Sequence, residues 1–412
     1  MGTDNSVVVV GLGYIGLPTA AILASNGVDV VGVDVNPRTV DAVNAGRVPF
    51  VEPDLAGFVS QAVEAGTLRA SLEPVEADAY IVAVPTPFLE DRQPDLSYIE
   101  AASRSIAPLL RAGALVVLES TSPPGATAQM RDWILAARPD LVGEDGEPLV
   151  LVAHCPERVL PGRVMVELVT NDRIVGGLTP EAAERAKALY EVFCRGEILT
   201  TDAVTAELAK LTENSFRDVN IAFANELSLI ADRLGVDVWE LIALANHHPR
   251  VNILQPGPGV GGHCIAVDPW FIVAADPANS RIIRTAREIN DGKPRWVIDQ
   301  VLAAVDGNDS PTVATLGLAF KADIDDLRES PARKIVAELA DDLPHGTVLA
   351  VEPHVEELPA ELANRRNVEL APLEAALEAA DVVVVLVDHT AFRAVPALRE
   401  GVVVVDTKGL WR

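Results

Sequence analysis

Short runs of almost wholly apolar residues recur along the chain, and they constrain its fold more than any other feature. Segments of helical periodicity separate the runs, which is the pattern of a parallel β-sheet covered by helices on both faces. The first series comprises residues 7–10, 28–35, 79–85, 114–120 and 148–154. The second series comprises residues 312–320, 347–353, 381–389 and 401–407. The sequence therefore predicts an α/β protein with two separate sheets.

The first predicted strand leads into a glycine turn, VVVVGLGYIG, and a helical segment follows. Gly11 permits the tight turn, Gly13 lets a pyrophosphate approach the backbone, and Gly16 allows close packing of helix and strand. Asp34 ends the next strand, where an acidic side chain can bind the adenosine ribose. The pattern predicts a dinucleotide site; the alternative is a structural glycine turn in an unrelated α/β domain. Asp34 favours NAD because it would repel the 2′-phosphate of NADP, whereas Arg38 leaves NADP open.

A long segment without proline or glycine, residues 203–234, lies between the two series of strands. It predicts one helix of 32 residues that ends at Gly235. At 1.5 Å per residue this helix would be about 48 Å long, enough to join two domains and carry a subunit interface. A break near Asn214 or Asn220 is the alternative. The predicted fold is two Rossmann-like, doubly wound domains, residues 1–198 and 306–412, joined by the long helix and a small helical domain, residues 199–305.

Cys264 lies in a loop rich in glycine and proline, PGPGVGGHCIAVDPW, residues 256–270. Glycines let backbone N–H groups and a bulky substrate approach the sulfur, and a nearby cation would favour the thiolate. The loop therefore indicates a nucleophilic cysteine, with a buried, inert thiol as the alternative. Asp268 is a candidate base, or alternatively a turn residue before Pro269.

Three polar residues of the long helix, Lys210, Asn214 and Arg217, are spaced by four and three and share one face. Apolar neighbours indicate that this face lies beside buried surface; the alternative is a solvated stripe. Lys210 could stabilise an oxyanion or transfer a proton, and Asn214 could donate a hydrogen bond. Thr86 and Thr121 are predicted at the C-terminal ends of strands, where ligands of open α/β sheets bind, or are ordinary turn threonines.

A nicotinamide cofactor together with a cysteine nucleophile predicts oxidation of an alcohol beyond the aldehyde. One hydride leaves, the thiol adds to the aldehyde, a second hydride leaves, and water releases an acid from the thioester. One alternative is a two-electron dehydrogenase of the 6-phosphogluconate or 3-hydroxy acid type, which needs no thiol. The other is a nucleotide-sugar or dinucleotide sensor without turnover.

The net charge of −27 argues against nucleic acid and anionic membranes as partners, because both would repel the chain. The sequence shows no signal peptide and no membrane-spanning run, so we expect a cytoplasmic protein. The three cysteines, Cys155, Cys194 and Cys264, are too scattered for a disulfide framework. No metal site is predicted, because His154 and Cys155 lack further ligands at suitable spacing.

Seven motifs, in order along nearly the whole chain, resemble those of the UDP-glucose/GDP-mannose dehydrogenase family. They are GLGYIGLP, VPTP, ESTSPPG, CPERVLPG, LAKLTENSFRDVNIAFANE, HPRVNILQPGPGVGGHCIAVDPWF and LGLAFKADIDDLRESPA. The stretches PERVLPG and GGHC resemble the corresponding stretches of family members that oxidise UDP-N-acetyl-D-mannosamine, rather than those of members that oxidise UDP-glucose. The resemblance implies a four-electron oxidation of the sugar C6 hydroxyl to a carboxylate with NAD, on a UDP-amino-sugar substrate, with UDP-N-acetylglucosamine or UDP-glucose as alternative substrates.

The resemblance also implies a role for individual residues. Cys264 would be the nucleophile, Lys210 the oxyanion stabiliser with Asn214 as its partner, and Asp268 an aid to deprotonation. Glu157 and Thr121 would position the hydrolytic water. The implied cofactor contacts are Gly11, Gly13, Tyr14, Ile15, Gly16, Asp34, Arg38, Thr86, Thr121 and Arg328. The implied substrate contacts are Arg158, Val159, Lys210, Asn214, Arg217, His248, Arg250, Gly261 and Lys321.

Residues 1–198 would then bind NAD, residues 199–305 would carry the cysteine loop, and residues 306–412 would bind the UDP group. The resemblance further implies a homodimer or larger homo-oligomer formed through the central helix, and a role in polysaccharide biosynthesis. His263 could orient the thiol or simply fill the loop, and the sequence leaves both readings open.

Overall fold

A computed structural model describes residues 5–89, 92–160, 162–262, 264–394 and 398–411. His263 lies outside the described residues. The chain separates into two compact units, Met1–Glu213 and Asn214–Arg412, and the boundary falls within one long helix. No helix among the described residues combines the length and the low polarity needed to cross a membrane.

The first unit alternates strands and helices. Its strands are β1 (Ser6–Val10), β2 (Asp29–Val33), β3 (Leu68–Ser71), β4 (Ala79–Val82), β5 (Leu115–Leu118), β6 (Leu151–His154), β7 (Arg173–Gly177) and β8 (Ile198–Asp202). Its helices are α1 (Gly16–Ser25), α2 (Pro37–Asn44), α3 (Leu55–Glu64), α4 (Ser97–Ile106), α5 (Ala126–Ala137), α6 (Val164–Thr170), α7 (Pro180–Tyr190) and the start of α8 (Ala203–Leu234), with short 3₁₀ turns at Ala107–Leu109 and Pro139–Leu141.

The strands of the first unit form an eight-stranded sheet in the order β3-β2-β1-β4-β5-β6-β7-β8. All neighbouring pairs are parallel except β6 and β7. Because successive strand residues point to opposite faces, Val7 and Val9 pack with α1, α3, α6 and α7, whereas Val8 and Val10 pack with α4 and α5. The central strands are thus buried on both faces, as the valine-rich runs predict.

The second unit begins within α8 and continues through helices into a second sheet. The helices are α9 (Val238–Ala245), α10 (Asp268–Ala275), α11 (Arg281–Ala304), α12 (Pro331–Asp342), α13 (Ala360–Ala363) and α14 (Leu373–Ala379), with a 3₁₀ turn at Thr390–Phe392. The strands are β9 (Thr312–Leu316), β10 (Thr347–Val351), β11 (Val368–Leu370), β12 (Val382–Val385) and β13 (Val403–Asp406). They form a parallel sheet in the order β11-β10-β9-β12-β13.

The predicted fold class is confirmed: two doubly wound α/β units, with a long helix between their sheets in the chain. Helix α8 covers residues 203–234 without a break at Asn214 or Asn220. The strands β3, β7, β8 and β11 were not expected from the sequence. The predicted domain boundary after residue 198 coincides with the first residue of β8, so it would divide the last strand of the first sheet.

Candidate active site

The glycine turn after β1 has the geometry that a dinucleotide site requires. Gly11 has a φ of 96°, and a Cβ atom there would lie 2.4 Å from the backbone oxygen of Ala83. A Cβ atom at Gly16 would lie 1.9 Å from the backbone oxygen of Gly11. At Gly13, apart from the glycine and its two chain neighbours, no atom of the described residues lies within 4 Å of the place a Cβ atom would take. Gly13 therefore leaves open space beside the N-terminus of α1, where helix N–H groups favour a pyrophosphate.

Asp34 follows β2 and is fixed against the glycine turn. Its Oδ2 accepts a hydrogen bond from the backbone N–H of Leu12 at 3.0 Å, and its Oδ1 accepts one from Asn36 at 2.8 Å. Each carboxylate oxygen keeps a lone pair for a ribose hydroxyl. Arg38 is exposed on α2, four residues further on. Asp34 thus lies where the glycine-turn pattern predicts an acidic residue, and Arg38 is close to it in the sequence.

The turn also presents Tyr14 and Ile15 before α1. The Tyr14 ring stacks on Phe50 with ring centroids 4.3 Å apart, and Ile15 takes the N-cap position of the helix. Because Phe50 belongs to the segment between α2 and α3, that segment packs beside the glycine turn. The aromatic pair therefore lies beside the glycine turn, where the cofactor is expected.

Thr86 and Thr121 lie together in the loops that follow β4 and β5. The Thr86 hydroxyl donates a hydrogen bond to the backbone oxygen of Thr121 at 2.5 Å. Ser120 ties the same two loops, because its hydroxyl donates to the backbone oxygen of Val84 at 2.7 Å. Both threonines therefore lie at the carboxyl edge of the first sheet, where ligands of such sheets bind.

Glu157 is held on both carboxylate oxygens. Oε2 lies 2.8 Å from Nη2 of Arg173, and Oε1 accepts a hydrogen bond from the backbone N–H of Arg158 at 2.7 Å. The side chains of Glu157 and Arg173 are only 7% and 4% exposed. Arg158 itself pairs with Glu213 at 2.6 Å, and the neighbouring Val159 packs against the core. Arg173 was not recognised from the sequence, which gives no sign that this arginine is buried.

Lys210 is 6% exposed on α8. One turn earlier, the Glu207 carboxylate accepts hydrogen bonds from the backbone N–H groups of Gly125 and Thr127, at 2.6 Å and 2.8 Å. These bonds anchor the start of α8 to the first turn of α5. Burial lowers the pKa of His154 to about 3, and the charge of Lys210 acts in the same direction. His154 is therefore a neutral neighbour of the lysine at physiological pH.

In the second unit, the thiol of Cys264 is exposed and lies just before α10. Its backbone oxygen accepts hydrogen bonds from Val267 at 3.1 Å and from Asp268 at 2.9 Å, which places Asp268 one turn after the thiol. Asp268 is 3% exposed, and Asn214 of α8 donates its side-chain amide to Oδ2 at 2.5 Å. The structure thus brings Asn214, Asp268 and the cysteine turn together within this unit.

The glycines before the thiol are explained by close packing. A Cβ atom at Gly261 would lie 2.3 Å from the backbone oxygen of Glu329. A Cβ atom at Gly259, which has a φ of 147°, would lie 3.0 Å from the Pro331 side chain. The turn before α12 therefore presses directly on the backbone of the cysteine loop, which only glycine allows.

A cavity of about 470 Å³ opens beside the cysteine loop. Its walls come from α8, from residues 254–261, from the loop after β9 and from the loops after β12 and β13. Three cations line it: Arg217, Lys321 and Lys408. Lys408 Nζ lies 3.1 Å from Asp388, which also lines the cavity. Lys408 was not recognised from the sequence, although it follows the apolar run of β13 directly, at the edge of the sheet where ligands bind.

Of the five predicted ligand residues that follow α8 in the chain, three do not line this cavity. His248 and Arg250 are exposed in the turn after α9, where the Arg250 N–H lies 3.3 Å from His248 Nδ1. Arg328 is exposed and pairs with Asp326 at 2.6 Å. The ligand contacts of His248, Arg250 and Arg328 therefore stay predictions.

One set of potential metal ligands comes together among the described residues, namely Asp323, His354 and His389 in the second unit. His389 Nδ1 already accepts a hydrogen bond from the backbone N–H of Asp323 at 2.9 Å, and its Nε2 lies 3.1 Å from Glu352. Both ring nitrogens are thus engaged, so the set has few lone pairs for a cation. The expectation that the protein needs no metal stays a prediction.

Comparison with known proteins gives matches over nearly the whole chain. Three profiles of the UDP-glucose/GDP-mannose dehydrogenase family match: the NAD binding domain at residues 5–194, the central domain at 204–292 and the UDP binding domain at 314–412. An NDP-N-acetyl-D-galactosaminuronic acid dehydrogenase from Ralstonia nicotianae is 61% identical over 413 residues, covering 99% of this chain and 96% of that protein. A UDP-N-acetyl-D-mannosamine dehydrogenase from Salmonella typhi is 59% identical over 423 residues, covering 99% of both. A solved UDP-D-ManNAc dehydrogenase from Pyrococcus horikoshii superposes with a TM-score of 0.86 at 37% identity, covering 99% of this chain and 96% of that one.

Proposed function

The chain belongs to the UDP-glucose/GDP-mannose dehydrogenase family, and from this premise we propose that it oxidises the C6 hydroxyl of UDP-N-acetyl-D-mannosamine to a carboxylate through a thioester on Cys264. As a member of this family it is a dehydrogenase whose cofactor is NAD. The relative from Ralstonia nicotianae is named for N-acetyl-D-galactosaminuronic acid, so an N-acetylated sugar of galacto configuration is the second candidate substrate.

We assign the NAD site to the glycine turn of the first unit. The fit rests on the open space at Gly13, on the helix N-terminus beside it and on Asp34, which the turn holds in place. Tyr14, Ile15, Thr86 and Thr121 would complete the site, with Arg38 and Arg328 at its margins. When bound, NAD accepts a hydride from the substrate carbon in each of two successive turns.

The cysteine makes the second oxidation possible. Cys264 adds to the C6 aldehyde, so that a carbon–sulfur bond forms and the thiol proton passes to the oxygen. Loss of the C6 hydrogen as hydride and of the hydroxyl proton then gives the thioester. Asp268, which lies one turn after the thiol and which Asn214 orients, would assist proton removal.

Hydrolysis completes the reaction. Water forms a bond to the thioester carbon, the carbon–sulfur bond breaks, and a carboxylate, the thiol and one proton are released. We assign the positioning of this water to Glu157 and Thr121, and the stabilisation of the oxyanion to Lys210 with Asn214. The fixed carboxylate of Glu157 and the burial of Lys210 favour these roles.

We assign the diphosphate of the nucleotide sugar to the cavity of the second unit. Arg217, Lys321 and Lys408 supply the local positive charge that a chain with a net charge of −27 otherwise lacks. Arg158, Val159, His248, Arg250 and Gly261 are the further proposed substrate contacts. Each of the three domains predicted from the sequence would have one function: residues 1–198 would bind NAD, residues 199–305 would carry the thiol, and residues 306–412 would bind UDP.

We also propose a homodimer or larger homo-oligomer through α8. Phe216, Phe223 and Ile230 lie seven residues apart on this helix and are 70%, 53% and 47% exposed. Residues with this spacing share one face, and contiguous exposed apolar surface marks an interaction site. A cytoplasmic location and a role in polysaccharide biosynthesis stay predictions.

The observation that carries the proposed function is the exposed thiol of Cys264, one turn before a buried aspartate that an amide of α8 orients. Mass spectrometry of the sugar product tests it, with UDP-N-acetyl-D-mannosamine, its galacto counterpart and UDP-glucose offered separately. We expect the acid and two NADH per sugar consumed. An aldehyde as the end product would favour a two-electron dehydrogenase, and tight NAD binding without turnover would favour a sensor.

A further inference from the structure

Charged and polar side chains form a buried cluster in the first unit, and the proposed chemistry uses one of its members. Glu157 pairs with Arg173 at 2.8 Å. Glu119, which is 1% exposed, lies 3.1 Å from the hydroxyl groups of both Tyr190 and Thr19. The Arg173 guanidinium lies over the Tyr190 ring, 4.8 Å from its centroid. This buried cluster therefore connects α1, which follows the glycine turn, to Glu157.

The buried cluster holds two carboxyl groups but a single guanidinium. Burial raises the pKa of Glu119 to about 8, the charge of Glu157 adds to the effect, and Arg173 opposes it. Burial also raises the pKa of the nearby Cys155 thiol to about 12 and that of Tyr190 well above its usual range. Neither of these groups is charged at neutral pH. The state at pH 7 is therefore an Arg173–Glu157 ion pair beside an uncharged Glu119.

The guanidinium has a donor that an ionised Glu119 would attract. Nε of Arg173 is buried and makes no hydrogen bond within the described part of the chain. Nη2 meanwhile holds Glu157 Oε2, and the backbone N–H of Arg158 holds Oε1. A second anion in this low-dielectric surrounding would compete for the same cation. Any movement of Arg173 towards Glu119 would loosen one of the two bonds that fix the Glu157 carboxylate.

We propose that Arg173 is a positioning residue for Glu157, and that the charge of Glu119 controls this role. While Glu119 is uncharged, the Arg173 guanidinium stays paired with Glu157. When Glu119 ionises, the hydrolysis of the thioester slows. This inference rests on the proposed function, in which Glu157 positions the attacking water. The two hydride transfers precede that step and do not use Glu157. The effect is therefore confined to the loss of the covalent adduct.

The test follows the decay of the covalent adduct on Cys264. At pH 7.0 and at pH 9.5, the full-length enzyme is loaded with UDP-N-acetyl-D-mannosamine and NAD, and further loading is then stopped. Samples are quenched in acid over time, and their intact mass is measured. With a Glu119 midpoint near pH 8, the uncharged fraction falls from about nine-tenths to about one-thirtieth. We therefore expect adduct decay to slow about 30-fold at pH 9.5, although hydroxide alone would speed it.

Glu119→Gln is the decisive variant, because glutamine keeps the shape but cannot ionise, while its amide oxygen can accept from one hydroxyl group and its amide N–H can donate to the other. It should match the wild type at pH 7.0 within about twofold and should lose the slowing at pH 9.5. Tyr190→Phe removes one donor to the ionised Glu119, so the midpoint should move to higher pH. Glu207→Gln is the matched control: Glu207 is also a 1% exposed glutamate of this unit, but it contacts Gly125 and Thr127, and its variant should keep the slowing.

Three results would overturn the inference: wild-type decay that does not slow at pH 9.5, slowing that persists in Glu119→Gln, or slowing that Glu207→Gln abolishes. If Glu119→Gln fails to fold, an unchanged midpoint in Tyr190→Phe overturns it as well. Formation of the acid without any adduct on Cys264 in the wild type would instead refute the proposed function.

Discussion

Lys293 offers a quantitative test of how this fold tolerates a buried charge. The lysine lies on α11 and is 2% exposed. Its Nζ donates a hydrogen bond to the Ser228 hydroxyl at 2.6 Å and lies 3.5 Å from the centroid of the Trp296 ring. Burial lowers its pKa from 10.5 to about 7, while the charge of Asp232 opposes the shift. We expect Lys293→Met to remove a pH dependence of stability that this one side chain imposes.

The direction follows from proton binding. The unfolded chain holds the lysine proton up to a pH of about 10.5, whereas the folded chain releases it at about pH 7. Between these values the unfolded state binds more protons, so the free energy of unfolding rises with pH. The stability that the folded state gains when Lys293 loses its proton is complete above pH 10.5 and is lost as the pH falls to about 7. Between pH 7 and pH 9 the gain is about 2 kcal/mol.

Urea unfolding of the wild type and of Lys293→Met at pH 7.0 and pH 9.0 measures this difference. Methionine leaves no orphaned group, because the Ser228 hydroxyl still donates to the backbone oxygen of Asn225 at 2.6 Å. Tryptophan fluorescence reports mainly on the second unit, since only one of the five tryptophans, Trp133, lies in the first unit. The variant should be at least as stable as the wild type at pH 7, and this advantage should shrink by about 2 kcal/mol at pH 9.

The control is Lys334→Met, because Lys334 is an exposed lysine of the same unit. Its stability relative to the wild type should not depend on pH over this range. The pKa of Lys293 is not lowered by folding if the stabilities of the two variants, each relative to the wild type, respond to pH alike. The same holds if the difference in unfolding free energy between Lys293→Met and the wild type changes by less than about 0.5 kcal/mol over this range.

Three further outcomes follow from the site. Cys264→Ser should lower acid formation by orders of magnitude in a product assay, because a serine hydroxyl hardly ionises at neutral pH, whereas Cys194→Ala, at a buried thiol, should cost only about 1 kcal/mol in urea unfolding. Gly16→Ala should abolish NAD binding in calorimetry, because its Cβ atom would lie 1.9 Å from a backbone oxygen, whereas Gly13→Ala should fold normally. Lys408→Ala should raise the KM for the nucleotide sugar about tenfold in steady-state kinetics while kcat changes less, since the ammonium lines the cavity proposed for the diphosphate and has no proposed role at the reacting carbon.

The sequence predicts the elements whose signals are local. Helix α8 matches its prediction at both ends, because no proline or glycine interrupts it and Gly235, with a φ of 68°, ends it. The valine-rich runs become strands of both sheets, and all of them are flanked by strands on both sides except the last, which becomes the edge strand β13. Strand β7 escapes prediction because it begins with a buried arginine and ends with two glycines. Gly176 is needed there because a Cβ atom would lie 2.4 Å from the backbone oxygen of Asp202, and this contact is tertiary.

The candidate site divides in the same way. Cys264 and Asp268 stand out because unusual residues surround them in the sequence. Glu119, Arg173 and Lys293 do not, since charged residues in strands and helices are usually exposed, and their burial depends on partners that are far away in the chain. Composition cannot reveal that a buried guanidinium pairs with one carboxyl group while a second buried carboxyl group lies in the same cluster.

The second sheet shows why a similar turn need not bind the same ligand. Gly317 has a φ of 98° and donates its N–H to Val351 at 2.8 Å, as Gly11 with a φ of 96° does to Val33 at 2.7 Å. The acid after the second strand again accepts from the turn, with Glu352 Oε2 lying 2.7 Å from the N–H of Leu318.

There the likeness to the dinucleotide turn ends. Glu352 is 5% exposed and is closed off by His389, whose Nε2 lies 3.1 Å from the same oxygen. Alanines, Ala319 and Ala322, stand where the first turn has its second and third glycines. The acid therefore fixes the turn that carries Lys321 and cannot reach a ribose. A buried histidine thus covers the acid, and two methyl groups stand where the dinucleotide turn has the glycines that leave room for a pyrophosphate.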